Sequence, residues 1–151
     1  MPSQEARVFH AASAYQDRYI IVTGGLETYK STERYCILSD RWETLAPLNK
    51  KRTGHSSCVF GKQVYVFFGV RVLEENSNGN KLDFVCSTEK LSLDCLGAGW
   101  QEINFYWMRN IALTSMNVVA MSAEEFVILG GVDRKNHPTG RIFILDFQRN
   151  A

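Results

Sequence analysis

Tyr19-Ile20-Ile21-Val22 runs towards Gly24-Gly25, Val64-Tyr65-Val66-Phe67-Phe68 runs into Gly69, and Phe126-Val127-Ile128-Leu129 runs into Gly130-Gly131. Three times a short apolar run ends on glycine, and its surroundings repeat with it. Arg7 and His10 stand ahead of the first run as Arg52 and His55 stand ahead of the second, 45 residues apart in both cases. Gly25 and Gly69 are 44 apart, and Tyr35 precedes Trp42 by seven residues as Leu93 precedes Trp100. In a third, looser copy Met116 takes the place of the histidine, and Ile144-Leu145-Asp146 matches residues 91–94. Seven residues beyond Leu145, a third tryptophan is expected at position 152, one past the last residue. Pro2 precedes Arg7 by five residues as Pro47 precedes Arg52, so residues 1–6 read as the tail of a preceding unit.

Within each unit the periods are those of strands, short and alternating, separated by turn-like breaks such as Gln16-Asp17-Arg18 and Gly61-Lys62. Strands are expected at roughly 8–15, 18–23, 32–38 and 41–46, again at 53–60, 63–68, 86–94 and 99–104, and finally at 114–121, 125–129 and 141–147. No segment keeps apolar residues at helical spacing for three turns. The units run over 7–51, 52–108 and 109–151, the last lacking its outer strand. One connection breaks the rhythm: Gly25 to Tyr35 spans 10 residues and Gly69 to Leu93 spans 24, about 14 more. Residues 70–85 alternate on both sides of Asn78-Gly79 and are expected to form an extended hairpin.

The 151 residues fit one ordinary domain or part of one, and 45% hydrophobic with 22% charged residues is the make-up of a chain that buries a core. Seventeen Lys and Arg against sixteen Asp and Glu leave a net charge of +1, which recommends neither nucleic acid nor an anionic membrane as partner. Apolar runs of about five residues are far short of the roughly 20 that span a bilayer. The polar start, Met1-Pro2-Ser3-Gln4-Glu5, does not have the form of a secretory signal, and a cytoplasmic location is expected. Cys36, Cys58, Cys86 and Cys95 form no C-x-x-C pair and have no matching histidine spacing for zinc, and they read as reduced, small apolar residues of a reducing compartment.

A four-stranded repeat of about 45 residues, with glycines closing the second strand and a tryptophan opening the fourth, resembles the kelch repeat of β-propellers. The stretch Ser31-Thr32-Glu33-Arg34-Tyr35, then Trp42, Ala46-Pro47-Leu48 and Arg52, is similar to that of BTB-kelch adaptor proteins. The resemblance implies an all-β partial propeller of about three four-stranded antiparallel blades. It further implies a non-catalytic protein-interaction module, in a ubiquitin-ligase adaptor or a cytoskeletal scaffold, with a fragment of a kelch-fold oxidase or sugar epimerase as the alternative. Such a piece has two open ends, to be covered by remaining blades, a second copy or another chain.

Residue chemistry points the same way. His10 and His55 occupy one repeat position in different units and have no third ligand beside them, so no metal or other cofactor is expected. The glycine doublets precede strands rather than helices, which removes a phosphate loop. No nucleophile elbow is present. What remains is the connections, at 26–31, 70–85, 132–140, 47–53 and 104–113, where a rigid scaffold concentrates binding residues. Tyr29, Lys30, Lys50, Lys51, Arg52, Arg71, Glu74, Glu75, Trp107, Arg109, Arg134 and Lys135 are the candidate partner-binding residues, for a protein partner.

Overall fold

A computed structural model describes residues 6–76, 79–103, 111–122 and 125–146. Its first sheet is a four-stranded antiparallel meander of β1 (Ala11–Tyr15), β2 (Tyr19–Thr23), β3 (Thr32–Cys36) and β4 (Arg41–Thr44). The second holds β5 (Ser56–Phe60) and β6 (Gln63–Phe67), then leaves the sheet for the hairpin β7 (Val70–Asn76) and β8 (Gly79–Phe84). It returns as β9 (Thr88–Ser92) and β10 (Gln101–Ile103), giving the order β5-β6-β9-β10. A third sheet is β11 (Asn117–Ala120), β12 (Glu125–Leu129) and β13 (Ile142–Asp146).

The expected strands are present, but the first strand of each sheet starts three residues late, at Ala11, Ser56 and Asn117. Phe9, Gly54 and Ser115 all have positive φ, of 53°, 60° and 55°, and each kinks the chain just before the first strand of its sheet. Residues ahead of the kink pair only as isolated bridges, Val8 with Leu26, Thr53 with Val70 and Thr114 with Val132. A left-handed residue cannot continue a pleated strand, so the alternation read through 8–15, 53–60 and 114–121 overruns the real start.

The repeat register also differs from its sequence reading in one place. Thr23 pairs with Thr32 in the first sheet and Phe67 with Thr88 in the second, which puts Leu91, not Leu93, in the place of Tyr35. Tyr35 lies opposite Trp42, and the pairing of Lys90 with Gln101 likewise brings Leu91 opposite Trp100. The shared seven-residue spacing is therefore a coincidence, because the short 3-10 turn Leu96–Ala98 lengthens the second connection. The insertion shrinks accordingly: β6 and β9 are joined by residues 68–87, twenty against the eight of 24–31.

Packing lies between the sheets. Tyr15, Ile21, Leu45 and Leu48 from the first meet Val64, Val66, Leu91 and Trp100 of the second, and the indole N–H of Trp100 donates to the Ala46 carbonyl at 2.9 Å. The other side of the second sheet presents Tyr65 and Phe67 to Met116, Val118, Phe126, Ile128 and Leu145. Phe126 is tilted against both aromatics, at 4.8 and 5.3 Å between ring centroids. Large side chains are needed where neighbouring sheets diverge, and tryptophan and phenylalanine fill that space.

Candidate functional site

The connections at one end of the three sheets are stitched to each other by backbone hydrogen bonds. Gly25 N–H donates to the Arg52 carbonyl at 3.0 Å, Gly69 N–H to that of Leu113 at 3.1 Å, and Ser115 N–H to that of Gly54 at 2.7 Å. This stitching explains the glycines. A Cβ at Gly69 would stand 2.8 Å from the Thr53 carbonyl and 2.9 Å from His55 Cβ, where no side chain fits. Phe68 keeps the left-handed geometry of the first position without being glycine, at φ 55°.

Beneath the connections lies a buried ion pair, which settles the position of one candidate. Arg52 is completely buried, and its guanidinium donates to the Phe68 carbonyl (2.8 Å), the Ser87 carbonyl (2.9 Å), Ser87 Oγ (3.2 Å) and Glu89 Oε1 (2.7 Å). Glu89 Oε2 in turn accepts the Asn49 N–H at 2.7 Å, and Oε1 the Lys50 N–H at 3.2 Å. Arg52 thus clamps the 47–53 connection to the base of the hairpin and has no surface to offer a partner. Its inclusion among the contact residues is corrected: the low-dielectric interior that excludes water demands its glutamate and carbonyl acceptors. In the first sheet Arg7 does the same with the Gly24 carbonyl, Ser31 Oγ and Glu33. The missed signal was the triplet Ser-Thr-Glu, at 31–33 and again at 87–89, recurring with the arginine.

The other candidates ride on this clamp. Lys50 reaches Ser87 Oγ at 3.2 Å and pairs with Glu102. Lys51 Nζ lies 5.4 Å from the centre of the Tyr29 ring, so the two first-sheet connections meet there, with Lys30 exposed beside them. Arg71 on β7 holds Asp83 on β8 at 2.6–2.8 Å. Glu74 and Glu75 lie on the same strand, opposite Lys81 and Asn80. Because Asn76 pairs with Gly79, the glycine belongs to β8 rather than to the turn. The side chains of Glu74 and Glu75, like Trp107 and Arg109 altogether, lie outside the described residues. Arg134 and Lys135 are exposed on the β12–β13 connection, and Arg134 reaches back to Cys86 Sγ at 3.5 Å.

The two histidines fall in different surroundings. His55 is buried, its Nε2 is 2.9 Å from Thr23 Oγ1 of the neighbouring sheet, and burial pushes its pKa down to about 3. His10, at the same repeat position, is exposed. Among the described residues no group of three His, Cys, Asp or Glu is placed to hold a metal. Cys58 follows the apolar reading, its thiol pushed up to about 12 by burial. Cys36 departs from it: hydrogen bonds from Ser39, with Arg18 nearby, bring its pKa down to about 7.

No family model matches the chain. Kelch-like protein 15 of Gallus gallus is 38% identical over 56 residues, covering 35% of this chain and 12% of that protein. Among solved structures, one titled "Structure of YjhT" superposes with a TM-score of 0.70 at 14% identity, over 88% of this chain and 36% of its own. The chain thus spans about an eighth of the curated relative and about a third of the structural one.

Proposed function

Since this chain is a kelch-repeat protein whose sheets are blades of a partial β-propeller, we propose that it serves as the partner-selecting surface of a larger propeller and performs no catalysis itself. The observation that carries this reading is the hairpin β7–β8. It is the large addition to an otherwise regular repeat, and the buried Arg52–Glu89 clamp ties its base to the Lys50 connection. A rigid base under an extended element is how binding residues are presented at low entropic cost.

In this reading the contact residues are Tyr29, Lys30, Lys50, Lys51, Arg71, Glu74, Glu75, Trp107, Arg109, Arg134 and Lys135, with Arg52 as their support. The setting is that of a cytoplasmic adaptor, a ubiquitin-ligase substrate receptor or a cytoskeletal scaffold, as the repeat resemblance implies. Among the described residues no helix is long and apolar enough to cross a membrane. Residues 7–51, 52–108 and 109–151 are then successive blades, with further blades covering the outer faces.

Deleting residues 74–80 tests the reading. The clamp lies below the cut, so the thermal melt should stay in place while affinity capture of partners from cell extract falls. Undiminished capture by the deletion variant, with the melt unchanged, overturns the proposal.

A further inference from the structure

We propose that the cleft between residues 111–113 and the β12–β13 connection binds an acidic peptide segment, one that sets carboxylates beside an aliphatic or aromatic side chain. The inference rests on the interaction reading above and names the chemistry of one partner. The cleft has a volume of about 520 Å3. Its apolar lining comes from Ile111, Pro138 and Phe143, of which Ile111 and Phe143 pack against the core of the third blade and are therefore held in place, while Leu113 is itself buried in that core. Its exposed rim carries the cations Arg134, Lys135 and Arg141, with His137 beside them.

The rim carries one carboxylate, Asp133, whose charge acts on Lys135 and His137 and so offsets part of the positive field. Asp133 Oδ1 accepts the backbone N–H groups of Lys135 at 2.8 Å and His137 at 3.0 Å, so it shapes the turn that carries the cations. Arg134 is oriented by the second blade, through Cys86 Sγ at 3.5 Å and the Phe84 ring at 5.9 Å, contacts that supply no counter-charge. Among the described residues, the carboxylate ion pairs are made by Arg7, Arg34, Lys50, Arg52, Lys62 and Arg71, none of them on this rim. Three permanent cations facing one carboxylate draw an anion. The apolar lining selects among anions, because a bare phosphate has nothing to give Ile111, Pro138 and Phe143, whereas a peptide covers them with one side chain and meets the rim with its neighbours.

The test is fluorescence anisotropy of the 151-residue chain with a fluorescein-labelled peptide, Gly-Gly-Glu-Glu-Leu-Glu-Phe-Glu-Gly-Gly. It should bind about tenfold or more tightly than its analogue with glutamine for every glutamate, and weaken with added salt. The doubly reversed variant Arg134→Glu/Arg141→Glu should lose binding, while Arg141→Lys should retain it, both with an unchanged melt. Equal affinity for the glutamine peptide, or undiminished binding by the reversed variant, overturns the proposal. So does equal binding of an acidic peptide with serine for Leu and Phe, which would make the cleft a bare anion site. Failure of all peptides while hairpin-dependent capture persists removes the cleft alone; loss of hairpin dependence removes the wider reading.

Discussion

The Arg52 guanidinium makes five hydrogen bonds where water does not reach it, and two of them go to Glu89. Removing one partner strands the other charge in the interior, which costs about 3–5 kcal/mol, whereas replacing both with apolar groups of similar size costs far less. Glu89→Ala should therefore lower stability by about that amount in urea melts, and Arg52→Met/Glu89→Leu should lose much less than the two single changes summed. His55 gives a second expectation. Its folded pKa of about 3 lies below the unfolded value of 6.5, so the unfolded chain binds the extra proton first as pH falls. The stability it contributes is intact above pH 6.5 and drains between 6.5 and 3, by about 2 kcal/mol at pH 5. Melts of the parent at pH 7 and pH 5 should differ more than those of His55→Gln, and equal shifts would show that His55 is not the titrating group.

Phe68 and Gly69 show how the turn after the second strand tolerates an exception. Phe68 holds a positive φ at a strain of about 1–2 kcal/mol, yet its ring is fully buried in the core between the second and third sheets, which also holds Leu113 and Phe126. Deleting a buried phenylalanine ring costs about 3–5 kcal/mol, so packing outweighs strain. Phe68→Gly should accordingly destabilise the chain by about 2–3 kcal/mol, although it restores the doublet of the other two repeats; a rise in the melting temperature would reverse that ordering. Glycine spacing and apolar runs made the blades and the hairpin legible, because both follow from backbone geometry that recurs after 44 or 45 residues between the first two units and, with the hairpin inserted, after 62 between Gly69 and Gly131. Strand starts were not legible at Phe9 and Ser115, since a left-handed non-glycine residue leaves no mark in the alternation. Arg52 was misplaced because Lys50-Lys51-Arg52 reads as a solvated run, and its glutamate lies 37 residues downstream. The cleft at 111–113 and 133–143 joins two connections that are apart in sequence, which only the register of the third sheet brings together.

Three stacked sheets leave two outer faces, and the third sheet's has an apolar centre bordered by Asn117, Glu125 and Asp146. Val119, Val127 and Ile144 lie in one row across β11, β12 and β13, with Leu129 and Ile142 in the next. Val119, Leu129, Ile142 and Ile144 are all exposed. The opposite face, on the first sheet, carries Ile20, Tyr35 and Trp42 on the side equivalent to that by which the second sheet meets the first. Covering roughly 500 Å2 of apolar surface is worth on the order of 12 kcal/mol at about 25 cal/mol per Å2, as much as the stability of a typical domain. A partner-selecting surface built on blades therefore depends on something seated against these faces, whether further blades, a second copy or another chain. Sedimentation velocity of the 151-residue chain, beside the variant Ile142→Lys/Ile144→Lys, tests this most directly. The unaltered chain should sediment as a self-associating species heavier than 17.2 kDa, and the variant should shift towards the monomer. A parent chain that stays a compact, cooperatively melting 17.2 kDa monomer at every concentration would contradict the account.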